Sequence, residues 1–300
     1  MADVPIATPA DWRNFATQFP IAACHLMRED LKVLYRLINE RQEVYRDKIV
    51  AMQTQQPDET PEGFEGRKKR VHGAYVTSVT IAAKNGELLT GNNEQIFDAI
   101  TYWTDVKSVF FSTQSVPKAV INILPADRIT LFLDFTQPPA LDFSKLPTLP
   151  TSNESNFEIA AVDEAWLTLS KTRLVEFFQR RRSGYDWIHG AAVYDLLLVV
   201  IGLPFSVWGT VEIGSIAPSI NRMSTFPRVL IYCYVLFASV TVFRVLFSYA
   251  RWVFPKVEVE IQGQTSSLRH RAAWAVAFGA FFWPALYDAA KAIAGHLLSK

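Results

Sequence analysis

Three long apolar segments lie in the last 115 residues of this 300-residue chain: Ala191–Val211, Val229–Ala250 and Ala272–Tyr287. An α-helix rises 1.5 Å per residue, so about 20 apolar residues cross the roughly 30 Å hydrocarbon core of a membrane. The first two segments are long enough to span. The third has 16 residues before Asp288. We predict that it also spans, with a re-entrant or interfacial helix as the alternative.

Lys and Arg residues near the ends of these segments predict which side faces the cytoplasm. Nine lie just before the first segment or between the second and third, whereas four lie in the other loop and the C-terminal tail. Cytoplasmic loops carry the excess of positive residues, so we expect the N-terminal region in the cytoplasm and the C-terminus outside. The chain opens without a signal-peptide pattern, and two cysteines fit a reducing compartment. The expected location is a bacterial inner membrane.

The composition of the chain limits its partners and suggests its division into domains. A net charge of +1 argues against nucleic acid as a partner, because nucleic-acid-binding domains are usually basic. We expect a helical region and polar linker at residues 1–70 and an α+β domain at 71–185. A transmembrane domain follows at 186–300, with a short cytosolic strand or loop at 251–271.

Two helices and a loop are predicted before residue 71. Thr8-Pro9-Ala10-Asp11 has a capping residue followed by proline, which predicts a short helix from Pro9. Apolar residues at helical spacing predict a longer helix over Ala22–Met52. That helix either packs on the domain or mediates self-association. Thr54–Arg70 is polar with two prolines, which is typical of a loop.

The α+β domain is predicted from alternating strands and helix caps. Ala74–Ala83 and Glu87–Thr90 flank Asn85-Gly86, a strong hairpin signal. Asn92 is expected to cap a helix at Asn93–Thr104, and Asp163 to cap another from Glu164 to about Arg182. Further strands are predicted at Lys107–Ser112, Ala119–Leu124, Ile129–Phe135 and Phe157–Val162. This order favours an α+β fold with a largely antiparallel sheet and flanking helices, followed by three transmembrane helices.

One more strand is predicted between the second and third apolar segments. Val257–Ile261 alternates apolar and polar residues in a loop expected to be cytoplasmic. It would add an edge strand to the cytosolic domain and tie that domain to the membrane helices. A short loop on the membrane surface is the alternative.

The sequence contains no motif with the spacing of a known catalytic, nucleotide-binding or metal-binding site. Its five histidines are scattered, and three of them flank apolar segments. Acidic residues are dispersed, and no serine lies in a nucleophile elbow. We therefore predict no catalytic residue, no metal, no cofactor and no enzymatic activity.

The basic run Arg67-Lys68-Lys69-Arg70 is the most distinctive feature of the soluble part. On a chain held at the cytoplasmic face, each basic residue near anionic lipid contributes about 1 kcal/mol of attraction. The run is expected to contact lipid headgroups or a phosphorylated ligand. A solvated, functionally silent run is the alternative.

Charges inside the apolar segments are costly and usually paired or functional. Asp195 and Arg244 lie near the cytoplasmic ends of the first two segments, so antiparallel helices would bring them to similar depth. We predict an Asp195–Arg244 ion pair, with Arg244 extending to the interface as the alternative. Gly202-Leu-Pro204 predicts a kink in the first segment. A polar outer boundary is expected from the residues Glu212, Asp288 and Lys291.

Two function classes remain after these exclusions. In the first, a membrane-anchored cytosolic domain binds a protein or small ligand and couples that event to the membrane helices. In the second, the helices assemble into an oligomeric pore or membrane effector of the bacterial defence type, by analogy alone. A membrane-bound enzyme is a weaker third class. Expected partners are membrane lipids and either further copies of the chain or another protein.

Overall fold

The computed structural model describes residues 15–99, 106–140, 148–260 and 270–276. The chain divides into two compact units. The sheet unit comprises Met1–Thr136, Ser152–Asp186 and Lys256–Ile261. The helical unit comprises Gln137–Thr151, Trp187–Pro255 and Gln262–Lys300. The chain therefore passes from one unit to the other several times, and neither unit is one continuous segment.

The sheet unit is built on a six-stranded antiparallel sheet and a separate two-stranded parallel pair. The strands are β1 Phe15–Pro20, β2 Cys24–Met27, β3 Ser78–Ala83, β4 Leu88–Gly91, β5 Val106–Ser112, β6 Arg128–Asp134, β7 Asn156–Ala161 and β8 Val257–Glu260. The large sheet has the order β1-β7-β6-β5-β3-β4, and β2 pairs with β8. With the flanking helices described below, this confirms the predicted α+β fold with an antiparallel sheet.

Among the described residues, four α-helices accompany the sheet: α1 Arg28–Ala51, α2 Pro61–Ala74, α3 Ser115–Ile121 and α4 Glu164–Gln179. Alternate residues of β6, namely Ile129, Leu131 and Leu133, are fully buried because side chains of a strand point to opposite faces. They share one core with residues of α1 and α4, among them Leu31, Leu34, Ile38, Leu174 and Phe177. Burial of this apolar face on the two helices forms the core of the unit.

The start of α4 confirms the predicted helix cap. The Asp163 side chain accepts hydrogen bonds from the backbone N–H groups of Ala165, at 3.0 Å, and Trp166, at 3.2 Å. These N–H groups have no partner inside the helix, so the cap stabilises the first turn. Trp166 is buried in the core, which positions the helix on the sheet.

The predicted strand at Ala119–Leu124 is wrong, because residues 115–121 form α3. The β-branched Val116 and Val120 suggested a strand, but Pro117 in the first turn suits a helix start. The Ser112 hydroxyl also accepts the backbone N–H groups of Gln114 and Ser115, which favours the turn into α3.

Other boundaries before residue 100 also differ from the predictions. The whole of β2, Cys24–Met27, was expected to be helical. The basic run lies on α2 rather than in a loop. Of the helix expected at Asn93–Thr104, the described part is a 3₁₀ turn at Glu94–Asp98 capped by Asn93, and residues 100–104 lie outside the described residues. The predicted helix at Pro9 lies outside the described residues.

The helical unit contains α5 Val193–Leu197, a π-helical turn at Leu198–Gly202, α6 Leu203–Ile216, α7 Pro218–Asn221 and α8 Thr225–Val253. Within the described residues, two helical stretches are long and apolar enough to cross a membrane, Val193–Thr210 and Thr225–Val253. That is two rather than the three predicted. Of the third segment, Ala272–Tyr287, only residues 272–276 are described, and these are helical.

Candidate functional site

Arg251, in the last turn of α8, holds two other segments of the helical unit. Its guanidinium donates hydrogen bonds to the backbone carbonyls of Leu149 at 2.9 Å, Ile188 at 3.2 Å and Gly190 at 3.4 Å. It also lies over the Phe247 ring at 4.7 Å. The side chain is buried, so these carbonyls replace the water that a charged group otherwise requires. We name this arrangement the Arg251 joint.

The two segments held by Arg251 also bind each other. Thr151 donates its backbone N–H to the His189 carbonyl at 3.3 Å, and the His189 Nδ1 lies 2.9 Å from the Thr151 hydroxyl. One turn further, Ala192 donates its N–H to the Thr148 carbonyl at 3.1 Å. The segment that precedes α5 is therefore fixed to residues 148–151 as well as to α8.

Asp195 belongs to the same network. Its Oδ1 accepts a hydrogen bond from the Thr148 hydroxyl at 2.9 Å. The neighbouring Tyr194 packs on α8, with ring centroids 6.0 Å from Phe243 and 5.3 Å from Phe247. Both Asp195 and Arg244 act electrostatically on the Tyr194 phenol. The two charges lie in one neighbourhood, and their direct pairing stays a prediction.

The predicted kink in the first apolar segment coincides with the π-helical turn at Leu198–Gly202. Pro204 has no backbone N–H, so the regular hydrogen-bond ladder cannot continue through it. A Cβ on Gly202 would lie 2.9 Å from Leu198 Cδ1 and 3.1 Å from the Phe243 ring. Gly202 therefore permits the close approach of the first apolar helix to α8. The Ser206 hydroxyl donates to the Gly202 carbonyl at 2.7 Å.

A second aromatic cluster lies at the end of α8. Tyr249 Oη is 2.7 Å from His270 Nδ1, and the Tyr249 ring stacks on Trp252 at 5.6 Å and on Trp274 at 6.2 Å. Trp and Tyr with a polar tip are typical of the boundary between hydrocarbon and water. The described start of the third segment is therefore packed against the last turns of α8.

The basic run on α2 is only partly available to a ligand. Thr60 caps the helix by accepting the Gly63 N–H at 3.2 Å. Arg67 is occupied by internal partners: it pairs with Glu59 at 2.8 Å and donates to the Thr54 carbonyl at 2.8 Å. The hydrogen bonds from Arg67 hold the pKa of Glu59 below its ordinary value. Arg67 thus fixes the loop before α2 to the helix.

The remaining three basic residues differ in exposure. Lys68 lies over the Phe64 ring at 4.7 Å and 3.5 Å from Glu65, whereas Lys69 and Arg70 are exposed. Within the part of the chain that the structure describes, no ion pair involves Lys69 or Arg70. These two residues are the accessible part of the predicted lipid or phosphate contact. Of the predicted outer-boundary residues, Glu212 lies on α6, and Asp288 and Lys291 lie outside the described residues.

The pairing of β2 with β8 contains a residue that sequence analysis missed. Cys24, Leu26 and Val257 point into the core, whereas His25 lies on the other face with Glu258 and Glu260. His25 Nδ1 is 3.4 Å from Glu258 Oε2, and His25 Nε2 is 3.0 Å from Glu260 Oε2. The alternation in 257–261 predicted β8 correctly. The partner strand of β8 was not predicted, because Cys24–Met27 was assigned to a helix.

Cys24 is a core residue rather than a reactive thiol. Burial raises its pKa to about 12, with a further contribution from the charge of Asp186. A thiol with such a pKa stays protonated at neutral pH and is a poor nucleophile. Cys233, on α8, is exposed.

Across the described ranges, no three His, Cys, Asp or Glu side chains are arranged to hold a metal ion. Comparisons with protein-family models, with characterised proteins and with solved structures gave no match. The two arrangements with the most specific geometry are therefore the Arg251 joint and the β2–β8 pair. Both consist of groups that hold segments of the chain together.

Proposed function

We propose that this chain is a non-enzymatic membrane protein. In this proposal the α+β sheet unit, on the cytosolic side, binds a protein or small ligand and couples that event to the membrane helices. The observation that carries the proposal is the short connection between α8 and β8. α8 ends at Val253 and β8 begins at Val257, so three residues join an apolar helix to a strand of the sheet unit. Because this connection is short, a displacement of β8 would be transmitted to the end of α8.

The Arg251 joint supports the same proposal from within the helical unit. It fixes the backbone at Ile188 and Gly190, just before α5, to the last turn of α8. A pull on the end of α8 would therefore act on the first apolar helix at the same time. Two-state rearrangements of such packed elements are a common basis of coupling between sites.

The proposal includes a topology with three spans, the N-terminus in the cytoplasm and the C-terminus outside the cytoplasm. Reporter fusions at the C-terminus test it. Alkaline phosphatase is active only outside the cytoplasm, and a green fluorescent protein fused there folds only inside. We expect an active phosphatase and a dark fluorescent protein. The reverse pattern would show an even number of crossings and would remove the third span.

The coupling step is tested by unfolding the sheet unit and observing α8. Cys233 is the reporter on α8, in a Cys24→Ala background, because Cys24 lies in the core of the sheet unit and would react once that unit unfolds. In the full-length protein in lipid nanodiscs, urea is raised stepwise while hydrogen exchange follows β6 and N-ethylmaleimide labels Cys233. The labelling rate should change by about fivefold or more as β6 unfolds, a typical size for coupled sites.

A four-residue Gly-Ser insertion between Pro255 and Lys256 should remove the change in Cys233 labelling that accompanies β6 unfolding, because a longer linker would no longer transmit a displacement of β8 to α8. The same insertion in the Asn85-Gly86 turn is the matched control and should leave that change in labelling intact. A labelling rate of Cys233 that stays constant while β6 unfolds, in the Cys24→Ala chain without an insertion, would contradict the proposal.

The ligand and the partners are sought by purification from native membranes, with mass spectrometry of co-purified protein, nucleotide and lipid. Expected partners are lipids together with either more copies of the chain or a second protein. A Lys69→Ser, Arg70→Ser variant should retain less anionic lipid or phosphate ligand than wild type. Leakage of a vesicle dye through an oligomer, with no captured ligand, would replace the coupling proposal with the pore alternative.

A further inference from the structure

β8 is a short strand whose attachment depends on few interactions. It pairs with β2 over four residues in a two-stranded parallel arrangement, which is among the weaker forms of sheet. Its inward face contributes Val257 and the partly buried Val259 to the core. Its outward face contributes Glu258 and Glu260, of which Glu258 is 7% exposed. Side-chain contacts on that outward face therefore add to the attachment made by the core face.

The His25 ring bridges the two carboxylates of β8 through its two nitrogens. A neutral imidazole has one N–H donor and one acceptor nitrogen, whereas the imidazolium has two donors. Carboxylate oxygens only accept, so a neutral ring can satisfy one of the two glutamates and turns a lone pair toward the other. Both ring nitrogens lie beside carboxylate oxygens, an arrangement in which an imidazolium ring could donate to both.

Other charges around β2 are already paired. Asp30 accepts the Met27 N–H at 2.8 Å and the Arg181 Nε–H at 2.7 Å. Asp186 accepts the Ala23 N–H at 2.6 Å and an N–H of Arg182, also at 2.6 Å. Lys256, which precedes β8, is a further charged residue near Cys24. The two glutamates of β8 are therefore the carboxylates that His25 contacts.

We propose that His25 is a proton-binding site that fastens β8 to β2 when its ring is charged and releases part of that attachment when the ring is neutral. Imidazole changes charge between about pH 5 and 8 in proteins, so the attachment strengthens as the pH falls through this range. The inference holds whether or not the sheet unit binds a ligand. Together with the proposed coupling, it makes the pull on α8 sensitive to cytoplasmic pH.

Hydrogen exchange of the full-length protein in lipid nanodiscs tests this inference. Protection factors, which correct for the intrinsic pH dependence of exchange, are measured for the peptide that contains β8 at about pH 5.5 and about pH 8. We expect about tenfold higher protection at the lower pH, the size that a hydrogen bond to a charged group provides. In His25→Gln this pH ratio should fall to about one.

Two control variants and an internal reference keep the test specific. His72→Gln and Glu62→Gln change exposed residues of α2 and should keep the wild-type pH ratio. Glu260→Gln removes one carboxylate at the surface and should lower the protection of β8 at acid pH. Protection of β6 reports whether each variant is folded. If His25→Gln does not fold, the result for Glu260→Gln decides the test.

The proposal is overturned if His25→Gln and Glu260→Gln both keep the wild-type pH ratio of β8. It is also overturned if Zn²⁺ raises the protection of β8 in wild type and His25→Gln removes that increase. In that case the three side chains act as metal ligands rather than as a proton-dependent pair of hydrogen bonds.

Discussion

The sheet unit and the helical unit place polar and apolar side chains in opposite ways. In the sheet unit, Leu131 and its neighbours on β6 are fully buried, and most charged residues are exposed. In the helical unit, Phe237 is 71% exposed and Trp208 is 59% exposed, whereas Ser206 and Arg251 are buried. The first arrangement is that of a protein whose core is formed by excluding water. The second suits a surrounding that is itself apolar.

The same contrast appears in how backbone groups are satisfied. In the helical unit, buried Arg251 donates hydrogen bonds to three backbone carbonyls, and the Ser206 and Thr210 hydroxyls donate to carbonyls one turn earlier in α6 and the π-helical turn. The sheet unit satisfies its backbone mainly through strand pairing and caps such as Asp163. Helices that satisfy every backbone group within themselves are the form that lipid requires. This difference can be tested with substitutions whose cost depends on whether the side chain faces a protein core, water or lipid.

The largest expected effect is that of Leu131→Ala in β6. Removing a fully buried leucine destabilises a protein by about 2–5 kcal/mol, through lost burial and the remaining cavity. Urea denaturation of the full-length chain in nanodiscs, followed by exchange of β6, measures the loss. Leu230→Ala, at a leucine of α8 that is 54% exposed, is the matched control and should cost less than about 1 kcal/mol. Equal costs would show that the two units do not differ in how their apolar side chains contribute to stability.

Phe237→Arg is expected to have the next largest effect, and only if α8 lies in lipid. An arginine near the centre of a transmembrane helix costs about 2.5–3.5 kcal/mol of insertion, whereas on a water-facing helix surface it costs almost nothing. The fraction of chain resistant to carbonate extraction measures insertion, and Phe237→Leu is the control. Wild-type extraction behaviour and yield for Phe237→Arg would place this face of α8 in water.

The strands of the large sheet could be predicted because their signals are local. Ile129, Leu131 and Leu133 alternate as a half-buried strand must, and Asn85-Gly86 marks the hairpin between β3 and β4. Asp163 was recognised as a cap because its partners lie two and three residues away. β1 was not predicted, because its polar and apolar residues alternate weakly and its pairing with β7 is distant in sequence.

The candidate site depends on contacts that no local pattern reveals. His25 meets Glu258 and Glu260 across more than 230 residues, and these partners are visible only once β2 and β8 are paired. The Arg251 joint uses backbone carbonyls of Leu149, Ile188 and Gly190, and carbonyls have no residue identity to recognise in a sequence. Asp195 was predicted to pair with Arg244, which stays a prediction, and its hydrogen bond from Thr148 is a contact that the sequence could not reveal.

The smallest expected effect compares how helices of the two units begin. Asp163 caps α4 with its side chain, whereas Ser224, at the start of α8, makes no side-chain cap hydrogen bond. Asp163→Ala should therefore destabilise α4 by about 1 kcal/mol, and Ser224→Ala should have no measurable effect on α8. Hydrogen exchange of the first turn of each helix measures both.

The Asp163 cap should also be sensitive to acid. The hydrogen bond from the Trp166 backbone N–H, helped by Lys48, holds the pKa of Asp163 below its ordinary value. A carboxylate with a lowered pKa in the folded state stabilises the fold above the unfolded-state pKa, about 3.9, and loses that contribution as the pH falls below it. Asp163→Asn keeps an acceptor without the charge, so it should retain most of the cap and lose the acid sensitivity. An acid transition of α4 that is unchanged in Asp163→Asn would show that another carboxylate controls it.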